Sequence, residues 1–335
     1  MSPPAIVGSG YAVPPQVRTN DDPIFDAIKA KPGSARLFTG YQDRRVLGPG
    51  ESVTWLMVQA AQPALEDAGV APGDVDLLLG FASVAEYITP NSLAQVHAEL
   101  GLRADVPVIP LNDDYTNFIS GLVIADALIR AGGAGRALIV CGDNWTQYVN
   151  YDTPQAVSAG DGAGAVVVGP ATAAGQWTLA DRAQLTVSAN YGQMYMAADR
   201  AGDAFTAPWF HITQEGFREF VSFGENEAPT VIQTLLDRNG LEPAAVTVIA
   251  HQTSQTLFDH WHDVLGVTFL TTLADYANVV LAAMPLTFAV RHAEIATEHL
   301  IFFGLGAQMQ AGAALMTRQS SAATSSALAD APQSR

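Results

Sequence analysis

The chain has 335 residues, of which 49% are hydrophobic and 15% charged, a balance typical of a globular protein with a large core. Its 33 acidic and 16 basic residues give a formal net charge of −17, which disfavours nucleic acid and anionic membranes as partners. The single cysteine excludes a disulfide framework and a multi-cysteine metal site. Without a signal-peptide pattern or an apolar run long enough to span a bilayer, the chain is expected to be soluble and cytoplasmic.

Short apolar strands alternate with helices through the first half of the chain. Ser52 is a suitable N-cap for a long helix over 53–68, and Gly69 follows its end. Because the strands are apolar along their whole length, we expect a sheet covered by helices on each side. The predicted strands are 5–12, 75–81, 106–111 and 136–141, and the other predicted helices are 92–100 and 117–131.

The pattern restarts after a glycine-rich stretch at 160–169. The order of elements suggests two similar halves, 1–170 and 171–318, although no residue-level repeat links them. The Ser- and Ala-rich segment 319–335 has little to bury and is expected to be disordered. In the second half the predicted helices are 212–238, 253–264 and 279–292, and the predicted strands are 246–251, 299–303 and 310–317.

Several blocks occur in a fixed order along the chain: GSGYAVPPQVRTN at 8–20, ASVAEYITPNSL at 82–93, FISGLVIADALIRAG at 118–132, RALIVCGD at 136–143, GDGAGAVV at 160–167, HQ at 251–252 and YANVVLAAMP at 276–285. Together they resemble the ketoacyl-acyl-carrier-protein synthase III branch of the thiolase superfamily. The resemblance implies an α/β fold, the thiolase-like five-layer αβαβα arrangement of two similar halves, generally assembled as a homodimer. Since GDGAGA leads into an apolar run, its glycines are interpreted as structural rather than phosphate-binding.

The resemblance places Tyr115 where such enzymes carry the cysteine that accepts the acyl chain. That cysteine lies at a helix N-terminus beside a histidine, which favours its thiolate. Cys141 instead falls in a predicted strand and is interpreted as a small buried hydrophobic residue. Cysteine-based decarboxylative condensation is therefore expected to be absent or very slow. Tyr115, a poor nucleophile at neutral pH, could donate a hydrogen bond to a reacting oxygen, plug the acyl tunnel, or stand in an inactive subunit.

His251 and Asn278 match the places of the family's catalytic histidine and asparagine. The resemblance implies that this pair donates hydrogen bonds to a thioester carbonyl as negative charge develops on its oxygen. The expected substrate-binding residues are Asp114, Thr116, Gly304 and Gly306.

The acidic pair Asp113–Asp114 has two interpretations. One carboxylate could act as a base or orient His251, or the pair could cap the helix that starts near Asn117. We expect capping for at least one of them. His260 and His262 should be carried away from His251 by their helix, and no metal or other cofactor is predicted.

The side from which ligands would enter departs from the family. The positions of a tryptophan and an arginine that hold coenzyme A fall on Ser34 and Phe38, and a basic residue facing the carrier protein falls near Thr256. Three arginines remain that could contact phosphate or simply be solvated: Arg36, Arg44 and Arg45.

The leading hypothesis is a ketosynthase III-like enzyme of polyketide, antibiotic or other specialised-metabolite biosynthesis. It would act on an acyl thioester of coenzyme A or acyl carrier protein, or on a polyketide-like small molecule, without an acyl-cysteine. The outcome would be acyl transfer or a carbon–carbon bond-forming cyclisation. The alternatives are a non-catalytic partner subunit of a cysteine-bearing ketosynthase and a thioester hydrolase. A homodimer is expected, with neither nucleic acid nor membrane as partner.

Overall fold

The computed structural model describes residues 2–202 and 204–320. The strands of this part are β1 Pro4–Ala12, β2 Gln16–Thr19, β3 Asp43–Val46, β4 Leu77–Ser83, β5 Val108–Pro110, β6 Ala137–Asn144, β7 Asp161–Pro170, β8 Trp177–Thr186, β9 Met194–Ala201, β10 Ala204–Ile212, β11 Val246–Ala250, β12 Thr268–Phe269, β13 His299–Gly306 and β14 Gln310–Arg318. The helices are α1 Asp26–Lys29, α2 Val53–Ala68, α3 Leu93–Leu100, α4 Asn117–Arg130, α5 Gln214–Asn226, α6 Pro229–Asn239, α7 Gln255–Leu265, α8 Leu273–Tyr276 and α9 Ala283–Arg291.

Ten of the strands form one sheet in the order β12-β11-β13-β14-β8-β1-β7-β6-β4-β5. The five strands on each side of the β8–β1 contact have the same order and the same directions. In each set the first strand in sequence pairs antiparallel with the fifth, the fifth antiparallel with the fourth, and the second parallel with the third and fourth. Only Ala5 and Ile6 of β1 pair with β8, so the two sets meet along a short seam.

Helices α4 and α9 lie between the two strand sets. Helix α4 packs on strands of both sets, and so does α9. Helices α2 and α3 cover the outer face of the first set, while α6 and α7 cover the outer face of the second. The predicted five-layer αβαβα arrangement is confirmed, and it brings the N-terminal ends of α4 and α9 together at its centre.

Local signals account for several element boundaries. The Ser52 hydroxyl accepts a hydrogen bond from the Trp55 amide at 3.1 Å, and Gly69 ends α2 in the left-handed conformation with φ 62°. A Cβ at Gly164 of the glycine block would lie 2.4 Å from the Leu286 amide nitrogen, so this glycine allows α9 to pack directly on β7.

The structure differs from the predicted elements mainly between residues 171 and 292. Strands β8, β9 and β10 lie where no element is predicted, and Pro229 begins α6, so the helical region predicted over 212–238 consists of two helices. The helix predicted over 279–292 starts with a 3₁₀ turn, Val280–Ala282. Gln319, in the segment predicted to be disordered, donates its amide to the Gln176 carbonyl at 2.8 Å. The rest of that segment, from 321 onward, lies outside the described residues.

Candidate active site

Tyr115 lies in a 3₁₀ turn, Asp114–Thr116, immediately before α4. Its position there depends on Asp114, which adopts a left-handed backbone conformation with φ 48°. Phe118 anchors the first turn of α4 in the core between the strand sets. The Tyr115 ring is partly buried, and its centroid is 4.9 Å from that of the His251 ring at an angle of 50°.

His251 directly follows β11, and its amide donates to the Phe303 carbonyl on β13 at 2.8 Å. The ring is buried, with Nδ1 2.9 Å from the Leu305 carbonyl oxygen and Nε2 3.1 Å from Asn278 Oδ1. Both contacts are with oxygens that only accept, so the neutral ring donates from one nitrogen, Nδ1 to Leu305 or Nε2 to Asn278, and the other nitrogen carries the lone pair.

Asn278 is fixed by backbone hydrogen bonds on both sides. Its amide donates to the Ser158 carbonyl at 2.8 Å, and its carbonyl accepts from Gly160 at 3.2 Å. Its side-chain Oδ1 accepts from the Val280 amide at 2.9 Å, which leaves Nδ2 as a donor without a protein partner in the described part of the chain. Ala277 and Val280 have φ values of 56° and 39°, conformations that cost on the order of 1 kcal/mol and occur where surrounding structure holds them.

The electrostatics of His251 favour the neutral ring. Burial lowers the pKa of His251 to about 4, although its hydrogen bonds with Leu305 and Asn278 act in the opposite direction. Both ring nitrogens face oxygen acceptors, so an imidazolium would satisfy both contacts while the neutral ring satisfies one. The expected donation from His251 to a substrate carbonyl needs a proton on Nε2, whereas proton acceptance at Nε2 needs the tautomer protonated on Nδ1.

Tyr115 is kept as a neutral phenol. Burial raises its pKa well above the ordinary value, and the neighbouring carboxylates of Asp114 and Asp143 act in the same direction. Because a phenolate is disfavoured here, the hydroxyl can donate a hydrogen bond but is poorly placed to act as a nucleophile. Within the described residues the hydroxyl has no hydrogen-bond partner, so it is available to a ligand.

The sequence comparisons identify the family. A family model of 3-oxoacyl-[acyl-carrier-protein (ACP)] synthase III matches residues 111–184, the stretch that begins just before the Tyr115 turn. The β-ketoacyl-[acyl-carrier-protein] synthase III of Prochlorococcus marinus (strain MIT 9313) is 31% identical over 328 residues, with 93% of this chain and 95% of the relative covered. This chain belongs to the synthase III family. A synthase III of Streptomyces coelicolor is 30% identical over 317 residues, with 91% and 95% covered.

Solved structures of the synthase III type share the fold. The 3-oxoacyl-[acyl-carrier-protein] synthase III of Aquifex aeolicus VF5 matches with a TM-score of 0.81 at 22% identity, covering 94% of this chain and 99% of that one. The priming β-ketosynthase of the R1128 polyketide biosynthetic pathway matches with a TM-score of 0.84 at 22% identity, covering 95% and 97%. These matches confirm the thiolase-like fold.

The acidic pair beside Tyr115 does not cap α4, contrary to the expectation from the sequence. Asp113 accepts hydrogen bonds from the side chains of Thr116, Ser120 and Gln310. Asp114 accepts from the Gln308 amide at 2.9 Å, across the boundary between the two strand sets. Neither carboxylate contacts His251, whose nitrogens face other partners, so the orienting role is also wrong.

The glycines expected to bind substrate make room for this turn. A Cβ on Gly304 would lie 2.9 Å from the Tyr115 carbonyl oxygen, and a Cβ on Gly306 would lie 2.5 Å from Asp114 Oδ2. Thr116 is buried against Gly304, and its hydroxyl lies 2.9 Å from both the carbonyl oxygen and Oδ2 of Asp113. Of the four residues expected to bind substrate, Asp114 and Thr116 thus belong to the Tyr115 turn, and Gly304 and Gly306 pack against it.

Arg44 differs from both sequence interpretations, because it is neither solvated nor available to phosphate. Its side chain is fully buried, donates to the Val157 carbonyl at 2.8 Å, and has its guanidinium 5.1 Å from the centroid of the Phe25 ring. Burial lowers its pKa to about 10. Arg36 is exposed, and Arg45 is half-buried, 5.8 Å from the centroid of the Tyr276 ring.

The other residues on the side from which ligands would enter have ordinary structural roles. Ser34 is buried and donates its hydroxyl to the Lys29 carbonyl at 2.9 Å, while Phe38 packs edge-on against Phe25. Thr256 is exposed. The His260 and His262 rings contact the carbonyl oxygens of Glu225 and Val267.

Cys141 is fully buried in β6, and burial raises the pKa of its thiol to about 12. Such a thiol is unreactive at neutral pH. Over residues 2–202 and 204–320, no group of three or more His, Cys, Asp or Glu side chains is arranged to hold a metal ion. None of the helices in this described part is long and apolar enough to cross a membrane.

Asp143 is a polar residue near the site that the sequence interpretation does not include. It is the penultimate residue of β6 and is fully buried, and its carboxyl lies close enough to Tyr115 to influence the phenol. The signal was a charged residue at the end of an otherwise apolar strand, in the block RALIVCGD.

Proposed function

We propose that this synthase III relative is an acyltransferase or condensing enzyme of polyketide, antibiotic or other specialised-metabolite biosynthesis that works without an acyl-cysteine. The observation that supports the proposal is the contact between Tyr115, in the turn before α4, and His251. The centroids of their rings are 4.9 Å apart. Tyr115 replaces the nucleophilic cysteine in this interpretation, because the only thiol of the chain, Cys141, is buried in a strand. The substrate is an acyl thioester of coenzyme A or acyl carrier protein.

The reaction starts when an acceptor, HX, attacks the carbonyl carbon of the thioester. The proton of HX passes to Nε2 of His251, where the oxygens of Leu305 and Asn278 stabilise the imidazolium. The Tyr115 hydroxyl and Asn278 Nδ2 donate hydrogen bonds to the carbonyl oxygen as negative charge develops on it.

The carbon–sulfur bond of the resulting intermediate then breaks. His251 gives its proton to the thiolate sulfur, so the products are the acylated acceptor and a free thiol. No acyl-enzyme is needed, because the thioester is already activated and positioning lowers the barrier by several kcal/mol. When HX is a carbon acid in the same acyl chain, the same steps close a ring.

The proposal includes a homodimer. Strand β5 lies at one end of the ten-stranded sheet, and Ile109 on it is 37% exposed. An edge strand has unpaired backbone donors and acceptors that a second copy can satisfy.

Thiol release from butyryl-coenzyme A, with hydroxylamine as the acceptor, tests the mechanism. His251→Ala should lower kcat/KM by about 100- to 10,000-fold, since the proton acceptor is lost. Tyr115→Phe should lower it by about 100-fold, since only a hydrogen-bond donor is lost. His260→Ala is the matched control, because that ring contacts the Glu225 carbonyl.

Equal turnover by the wild type, His251→Ala and Tyr115→Phe would reject the mechanism. Equal thiol release with and without hydroxylamine, accompanied by free butyrate, would instead support a thioester hydrolase. Light scattering on the same preparation should give a homodimer. A chain that is stable only together with a cysteine-bearing ketosynthase would support the non-catalytic partner.

A further inference from the structure

Asp143 faces the packed core between the two strand sets. Side chains alternate along a strand, so Asp143 shares its face of β6 with Ile139 and Cys141, which pack in the central core. Gly142 faces the other way, where a Cβ would meet the Met57 side chain of α2. A carboxyl group therefore ends a strand face that is otherwise apolar.

One oxygen of this carboxyl has no partner. Asp143 Oδ1 accepts a hydrogen bond from the Trp145 amide at 2.8 Å, whereas Oδ2 is buried and has no hydrogen-bond partner among the described residues. The Ser83 hydroxyl and the Leu281 amide lie near the group and lower its pKa, but neither completes a hydrogen bond to Oδ2. A buried oxygen without a hydrogen-bond partner is destabilising unless a ligand or water satisfies it.

A second buried polar atom nearby is also unpaired. The indole N–H of Trp145 has no hydrogen-bond partner within residues 2–202 and 204–320. Trp145 also borders the central core that holds Tyr115. Buried polar groups nearly always have hydrogen-bond partners, so two unpaired groups within three residues at the end of β6 call for an explanation.

Tyr115 borders the same central core as Trp145. Its pKa responds to Asp143, and its hydroxyl also lacks a protein partner in the described part of the chain. The core residues on this side are mainly apolar, including Phe118, Leu281 and Phe302. An acyl chain extending past Tyr115 would therefore meet apolar side chains and one acid.

The ionisation of Asp143 suits a hydrogen-bond donor. Burial, and then the neighbouring Asp161, raise the pKa of Asp143 well above its ordinary value, which favours the protonated carboxyl. The other titratable groups close to it are Tyr115, whose pKa is also raised, and Cys141, two residues earlier on the same face. The surroundings described here provide no cation to offset these groups.

We propose that Asp143 binds, through its unpartnered Oδ2, a keto or hydroxyl oxygen of the acyl chain beyond the thioester carbonyl. The enzyme then selects oxygenated acyl thioesters over saturated ones of the same length. The inference rests on the proposed function, because it assumes that the acyl group occupies the space beside Tyr115. In this proposal Asp143 recognises the acyl chain of the substrate and takes no part in the transfer itself.

Two matched thioesters test this selectivity: the acetoacetyl and butyryl thioesters of N-acetylcysteamine, which differ by one keto oxygen. Calorimetry gives their affinities, and thiol release gives kcat/KM. The wild type should favour the acetoacetyl compound by about tenfold or more, the effect of one buried hydrogen bond. Asp143→Val should reduce this ratio to about one, while Asp143→Asn, which keeps a donor, should retain most of it.

Two controls separate recognition from structural damage. Cys141→Ala, on the same face of β6, should keep the wild-type ratio, and a folding defect would weaken both thioesters together without changing the ratio. In infrared difference spectra, the band of a protonated carboxyl should shift when the acetoacetyl thioester binds. That band should be missing from Asp143→Asn.

Each remaining outcome counts against the proposal. Equal affinity of the two thioesters for the wild type, or a ratio that survives Asp143→Val, would overturn the role of Asp143 and leave the proposed transfer intact. Binding of neither thioester would overturn this inference and the proposed function together. If the carboxyl band does not change when the acetoacetyl thioester binds, Oδ2 does not contact the substrate and the proposal is wrong.

Discussion

The turn at 114–116 and the turn at 277–280 occupy corresponding places in the two strand sets, since each leads into one of the central helices. Both place non-glycine residues at positive φ, Asp114 in the first and Ala277 and Val280 in the second. Their chemistry differs, because the first carries two carboxylates around a phenol and the second presents the neutral amide of Asn278. The same backbone conformation thus places a phenol and an amide next to the His251 ring.

The difference explains why the site suits neutral donors rather than a thiolate. Carboxylates beside position 115 disfavour any anion there, whereas the second turn holds a neutral amide that accepts from Val280 and keeps Nδ2 free. His251 lies between the two turns and can hold a transferred proton. Changing the charge of either turn should therefore disturb the combination of neutral donors and histidine on which the proposed mechanism depends.

Among changes to the two turns, the largest effect is expected from adding charge to the second turn. Asn278→Asp keeps an oxygen for the Val280 amide, removes the Nδ2 donor and places a negative charge beside His251 Nε2. The transfer rate should fall about 100- to 1000-fold. The pKa of His251 should rise from about 4, since the imidazolium gains a charged partner, and ring NMR signals followed through a pH titration measure this rise.

Asn226→Asp, on the outer helix α5, is the matched control, because it adds the same charge far from the histidine. A wild-type rate in Asn278→Asp would show that the second turn contributes no donor. A fall in rate without a change in the His251 titration would show that the two side chains are not electrostatically coupled.

A smaller effect, on stability, is expected from removing charge in the first turn. Burial raises the pKa of Asp114 to about 6, so the folded state holds this proton more tightly than the unfolded state. Stability from this group is fully present below about pH 4 and is lost as the pH rises through about 6. Asp114→Asn should therefore match the wild type near pH 4 and be more stable by about 3 kcal/mol at pH 7.

Urea unfolding at a series of pH values measures this difference. Asparagine can still accept from the Gln308 amide and tolerates the left-handed conformation, so little else changes. Asp152→Asn, at an exposed carboxylate, should show no such pH-dependent gain. Parallel curves for the wild type and Asp114→Asn would mean that the first turn carries no buried charge at neutral pH.

Much of the fold is readable from the sequence because its signals are local. Ser52 and Gly69 mark the ends of α2, which begins and ends where predicted. Strand β8 is harder to predict, because its exposed and half-buried residues alternate and lack the apolar run of the core strands. The resemblance supplied Tyr115, His251 and Asn278, and the structure brings these three residues together.

The remaining features of the site depend on distant contacts. The partner of His251 Nδ1 is a backbone carbonyl, that of Leu305, and no residue type encodes such a contact. Arg44 looks like a solvated loop residue until the fold places Phe25 and Tyr41 around its guanidinium. In the sequence, Asp113 and Asp114 look like helix caps. In the structure they accept hydrogen bonds from Gln310 and Gln308, which belong to the other half of the chain.

The smallest effect, and the most direct test of the first turn, comes from placing a thiol in it. Tyr115→Cys in a Cys141→Ala background leaves one thiol, at the position that we propose corresponds to the family's nucleophile. Burial and the Asp114 carboxylate should hold the pKa of this thiol above the usual value of about 8.5. Adding Asp114→Asn should lower that pKa by about one unit and so speed alkylation by iodoacetamide about tenfold at neutral pH.

The pH dependence of the alkylation rate gives the thiol pKa in both variants, and mass spectrometry after incubation with acetyl-coenzyme A shows whether either one forms an acyl-enzyme. Rapid alkylation of Tyr115→Cys alone at neutral pH would contradict the idea that the acidic turn suppresses anions. Acylation seen only after Asp114→Asn would support it. The carboxylate next to position 115 would then keep a thiol at this position from accepting an acyl group.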